Sequence, residues 1–203
     1  MNPTEQVDAI KYVEQVAAIK YALTEMRENM IIEQLPKWIV EITAFLEENR
    51  QTFTLGNPIS NEVMKAAQAY VTSVVNGLRI LYANLSSSFT LEYEPLTTVD
   101  SVPQSVRASC VHDLRTAEEQ LFEHYNMLLT YYASRGNLES KIEKYPNAPS
   151  YATALKVQEI KHFNYLYFLL RVARDNALDV HTTLLKNAAA LNTTGNPNTN
   201  HYT

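Results

Sequence analysis

The chain has 203 residues, with 17 basic and 22 acidic side chains and a formal net charge of −5. Surfaces that wrap nucleic acid or dock on anionic membranes carry a basic stripe. No run of Lys and Arg stands in this sequence, which excludes both roles as its main business. Only four glycines occur, against the fourteen or so expected at roughly 7% usage, and that excludes a turn-rich sheet protein. The single cysteine, Cys110, excludes an internal disulfide.

The first helix is announced by Asn2 as cap, Pro3 at the first helical position and Glu5 in the capping-box place. Behind it Ala9, Tyr12, Val16, Ile19, Leu23, Met26 and Met30 alternate by three and four. That spacing is one helical face held over three heptads, the seam of a bundle or coiled coil. Pro36 is expected to kink or end this helix. A second apolar-periodic segment begins at Trp38, carries Ile42, Phe45 and Leu46, and closes at Leu55-Gly56-Asn57-Pro58.

Asn57 and Pro58 then read as the cap and first residue of the next helix. Its expected seam is Val63, Ala67, Tyr70, Val74, Gly77 and Leu81, with small residues such as Ala67 and Gly77 allowing a neighbour to approach closely. From about residue 86 to residue 103 no helical period holds, so this stretch reads as an irregular linker. The period returns from Pro103 with Cys110, Leu114, Ala117, Leu121, His124, Leu128 and Tyr131, and Gly136 is a natural stop. The last helix shows the most regular seam, with Phe163, Leu166, Leu170, Ala173, Ala177, Val180 and Leu184 holding one face.

These elements predict an all-α fold: an elongated, antiparallel four- to five-helix bundle with a polar C-terminal tail. Residues 1–191 form the single bundle domain and residues 192–203 the tail. The start of the chain shows no basic, then apolar, signal pattern, and no apolar run is long enough to span a bilayer. A cytoplasmic protein, or one built into a particle, is therefore expected.

Little in the sequence gathers into an active site. Glu159 and His162 stand one helical turn apart, like the ligand pairs of di-iron bundles, but the second such pair that those sites need is missing. An exposed pair on a charged face with Lys161 is the plainer expectation, so neither a metal nor a cofactor is expected. His124 reads as a core histidine hydrogen-bonded to a carbonyl or carboxylate, and Cys110 as a small buried apolar residue.

Arg174-Asp-Asn-Ala-Leu-Asp-Val-His181 resembles the Arg-x(4–6)-His motif of the HEPN-type ribonucleases, which are also helical. The resemblance implies that Arg174 and His181 polarise a phosphate and assist attack by a ribose hydroxyl across a dimer. Arg107 and His112 match the same spacing. Chance supplies roughly 0.6 such matches in a chain of this composition, which places the ribonuclease or toxin reading second. A helical adaptor or regulatory binding module is a further alternative.

The first reading is non-enzymatic. Charged residues make up only 19% of the chain, and 13 tyrosines are present. Tyr131, Tyr132, Tyr165 and Tyr167 occupy adjacent or alternate positions, so they cannot all face one seam. Tyrosine suits interfaces, where its ring is buried and its hydroxyl still finds a partner. Those four, with Tyr202 in the tail, are the expected interface residues of a subunit that self-associates into a homo-oligomer, filament or shell, a virion or coat component included. The expected partner is a second copy of the chain, with other proteins compatible.

Overall fold

The computed structural model describes residues 3–50, 60–91 and 101–191. Among them every regular element is helical: α1 (Pro3–Asn29), a five-residue π-helical turn (Met30–Gln34), α2 (Leu35–Glu48), α3 (Asn61–Leu91), α4 (Ser101–Lys144), α5 (Pro149–Lys186) and the short α6 (Ala188–Leu191). At 1.5 Å per residue α4 alone is about 66 Å long, so the bundle is elongated.

The helices run antiparallel, as their cross-contacts show. Along α3 and α4, Gln68 meets Tyr132, Arg79 meets Glu118, and Ser86 meets Arg115. Along α4 and α5, Tyr131 stacks on His162, Gln120 bonds Asn176, and Arg107 reaches the Leu191 carbonyl. Both sets of pairs rise on one helix as they fall on the other. α2 packs against α5 and α3, and α4 packs against α3 and α5, so α2 and α4 sit at opposite corners of a four-helix square.

Pro36 does not break the first rod. Asn29, Gln34 and Leu35 all keep right-handed helical dihedrals, and the Leu35 N–H bonds the Met30 carbonyl five residues back. This wider turn carries the chain past the missing proline amide. Two side-chain bonds brace it, from Asn29 Nδ2 to Glu33 Oε2 (2.6 Å) and from Gln34 Nε2 to Asn29 Oδ1 (2.7 Å).

The linker expected at 86–103 is also shorter than its polar residues implied. α3 continues through Leu91 and α4 begins at Ser101, and Ser86, Ser88 and Phe89 are buried. The serines lower helix propensity but do not abolish it, because their hydroxyls are satisfied locally: Ser88 Oγ donates to the Leu85 carbonyl, and Ser86 Oγ accepts from Arg115 Nε. Gly136 likewise lies inside α4 rather than ending it.

α3 is the central helix. It packs against α1, α2, α4 and α5, and it therefore buries a broad face that includes Val71, Val74, Val75, Leu78, Tyr82 and Phe89. Its Gly77 admits the Trp38 indole so closely that an added Cβ would collide with Cζ2. Gly77→Ala gains about 1 kcal/mol of helix propensity but forces the indole aside, at a cost of about 1–3 kcal/mol. The expected result is a lower denaturation midpoint, with the loss removed when Trp38 is replaced by leucine.

The α1 seam is only half covered. Met30 is buried and Leu23 partly so, but Tyr12 is 65%, Val16 51%, Ile19 60% and Met26 49% exposed. Ala9 and the polar tail lie outside the described side chains.

Candidate functional site

The residues expected to carry function gather where α4 and α5 cross, and their arrangement is one of recognition and support. His162 is only 5% exposed, which corrects the expectation of a surface Glu159–His162 pair. Its ring stacks on Tyr131 at 3.5 Å between centroids with the planes 4° apart. Tyr132 Oη donates to Gln68 Oε1 (2.6 Å), so the Gln68 amide nitrogen is left to donate to His162 Nε2 (2.8 Å). That polarity makes Nε2 an acceptor and places the ring proton on Nδ1. Burial pushes the His162 pKa down to about 4, so the ring is neutral at ordinary pH.

Glu159 turns away from His162 and pairs with Arg135 Nη1 at 3.0 Å. Arg135 also bonds Glu139 through Nε (2.9 Å) and donates to Tyr131 Oη (3.2 Å). Its guanidinium is thereby held firmly charged. The result is a three-helix polar knot, Gln68 on α3, Tyr131, Tyr132 and Arg135 on α4, and Glu159 and His162 on α5. Among the described residues no three His, Cys, Asp or Glu side chains come together as a metal would need.

The expected interface tyrosines divide accordingly. Tyr131 is buried in the knot, while Tyr132 keeps 55% of its surface in water. Tyr165 and Tyr167 are partly buried against the core. Tyr165 Oη meets His124 Nδ1 at 2.9 Å and donates to Met127 Sδ at 3.1 Å. His124 thus finds a hydroxyl where a carbonyl or carboxylate was expected. Tyr202 lies outside the described residues. Beside the knot, Met127, Tyr131, Gln158, Lys161, His162 and Tyr165 line an open groove of about 410 Å³.

The ribonuclease-like pair is not assembled for catalysis in the chain. Arg174 directs Nε and Nη2 at its neighbour Asp175 (2.8 and 2.7 Å), and His181 lies two turns further along the same helix. Arg107 is spent on the Leu191 carbonyl at the end of α6. Cys110 is buried in the core, and burial, followed by the charge of Asp113, raises its thiol pKa. No helix among the described residues is long and apolar enough to cross a membrane.

One signal for His162 was available. His162, Leu166, Leu169 and Ala173 are spaced four, three and four apart, a second seam that shares Leu166 and Ala173 with the one through Phe163 and Leu170. α5 has two seams because it packs against α2, α3 and α4 at once.

Three comparisons with known proteins bear on identity. Residues 100–201, half of the chain, match the family described as "Proteasome activator PA28, C-terminal". Proteasome activator complex subunit 3 of Homo sapiens is 29% identical over 83 residues, covering 41% of this chain and 33% of that protein, and the Gallus gallus protein matches equally. The match thus spans about a third of the length of these curated relatives. The crystal structure of the 11S subunit of the Plasmodium falciparum proteasome, PA28, superimposes with a TM-score of 0.77 at 18% identity, over 89% of this chain and 92% of that one. These likenesses correct the expectation of a coat, filament or virion component, and they give no support to the ribonuclease or adaptor alternatives. The chain belongs to the proteasome activator PA28 family.

Proposed function

We propose that this chain is a non-enzymatic regulatory subunit that assembles with copies of itself into a closed heptameric ring and docks on a proteasome to stimulate peptide hydrolysis. The observation that carries the reading is the family match over residues 100–201. The shared fold supports it, since the likeness to the Plasmodium falciparum 11S subunit extends beyond that segment to α1, α2 and α3. The half-exposed α1 seam also suits a chain whose working form is an assembly, because a lone subunit would leave those side chains in water. Tyr132, Tyr165 and Tyr167 remain the proposed contact residues on α4 and α5.

The test adds the purified chain to a proteasome core particle and follows hydrolysis of a fluorogenic peptide, with light scattering on the same sample. The expected outcome is an assembled species and a rate that climbs with added chain and saturates. An assembled chain that leaves the rate unchanged would remove the proteasome from the proposal. A monomer at every concentration would remove the ring.

A further inference from the structure

Among the described residues, the heptad seam of α1 runs past the last turn of α3. Its last turns are anchored, with Met30 buried and the Arg27 guanidinium 5.1 Å above the Phe89 ring near the end of α3. Counting back from Arg27 to Tyr12 adds about 22 Å of helix. On that stretch the seam positions Tyr12, Val16, Ile19 and Met26 stand half to two-thirds exposed, as does Val13 beside them. Together they form a ridge on the order of 500 Å² of apolar surface, more than half of the roughly 800 Å² that one partner gives to a standard interface. The rows flanking the ridge carry Gln15, Lys20 and Ala22 and no carboxylate.

A complementary face lies across the molecule. The α1–α2 rod and α4 occupy opposite corners of the bundle. Arg115 reaches Ser86, close to the Phe89 that sits under Arg27, so the first turns of α4 stand at the same end as the ridge. There α4 exposes Ser105, Ala108, Ser109 and His112, with Asp113 at their edge, and the small residues among them leave a low surface over which a ridge of large side chains can lie closely. Two different faces on opposite corners of one subunit make a head-to-tail contact, and such a contact closes into a ring when the rotation from copy to copy closes.

We propose that the α1 ridge of one copy, Tyr12 to Met26, docks across the Ala108–Ser109–His112 face of a second copy. The inference rests on the ring reading above and names the contact that would close the ring. Each subunit then gives one face and receives with the other.

The test uses two full-length variants with substitutions at exposed positions, a Val16→Asp/Ile19→Asp double variant and Ala108→Arg, followed by light scattering and circular dichroism. Each alone is expected to keep the wild-type helical signal and, at concentrations where the wild type is itself unassembled, the wild-type melting temperature. Each should also raise the concentration for half-assembly at least about tenfold, the equivalent of about 1.4 kcal/mol. Mixed in equal amounts they should form a dimer and nothing larger, because one variant retains the ridge and the other its receiving face. Wild-type-like assembly of either variant, or a mixture that stays monomeric, would overturn the contact while leaving the ring reading standing. So would a double variant that assembles normally but melts earlier, since the ridge would then be covered within its own chain. A wild-type chain that is monomeric throughout would overturn both.

Discussion

Phe89→Ala should destabilise the chain by about 3–5 kcal/mol, the range for deleting a fully buried aromatic ring. Phe89 is completely shielded, lies under the Arg27 guanidinium, and joins α1 to the end of α3. Removing it deletes apolar burial, opens a cavity that helix ends can only partly collapse, and frees Arg27 from the face it covers. Chemical denaturation at neutral pH measures the effect. A loss below about 0.5 kcal/mol, the usual range for surface positions, would show that residues 86–91 behave as the linker their serines suggest and not as helix.

That contrast shows which parts of the fold were legible. The seams of α4 and α5 could be read from spacing alone because each repeats over many turns. Leu114, Ala117, Leu121, Leu128, Leu166, Leu170, Ala173 and Ala177 are all buried as expected. The errors fall where a local breaker meets tertiary support. Ser86, Ser87 and Ser88 lower propensity by tenths of a kcal/mol each, but Leu85 and Phe89 on either side are buried and hold the helix. Gly136 costs about 1 kcal/mol in a helix interior. It sits in open space with nothing for a Cβ to meet, while Arg135 beside it bonds residues on α4 and α5. At Pro36 the helical dihedrals run on through a π-helical turn, a one-residue change of hydrogen-bond register that leaves no mark in the hydrophobic pattern.

The candidate site was less legible than the fold. Tyr131, Tyr132 and Tyr165 were singled out by their number and spacing, yet spacing could not say that Tyr131 would lie against a buried His162. The knot is built from long-range pairs, Gln68 with His162 and Tyr132 with Gln68, separated by 94 and 64 positions in the chain. No local pattern encodes such pairs. Family membership was illegible for a different reason: a helical bundle is compatible with many functions, and residues 100–201 contain no motif whose chemistry alone names a partner.

The knot carries the last prediction, a stability that weakens in mild acid. His162 has a folded pKa of about 4 against 6.5 for the free side chain, with burial as the cause. The charged groups around it are Arg135 and Glu159, paired with each other across α4 and α5, and Lys161, which lines the same groove, while the groups that touch the ring, Gln68 and Tyr131, are neutral. Protonation would also turn Nε2 from an acceptor into a donor facing the Gln68 amide. Because the folded pKa lies below the unfolded one, the unfolded chain takes up a proton first as the pH falls. The stabilisation is therefore whole above pH 6.5 and is lost progressively down to about pH 4. The loss between pH 7 and pH 5 is about 2 kcal/mol. His162→Gln removes the titrating group, so its starting stability is lower but the difference from wild type should shrink by that amount over the same interval. Parallel denaturation curves at pH 7 and pH 5 decide the matter: a constant difference between the two proteins would mean that His162 titrates as if in water, and that the ring is not sealed between Tyr131 and Gln68.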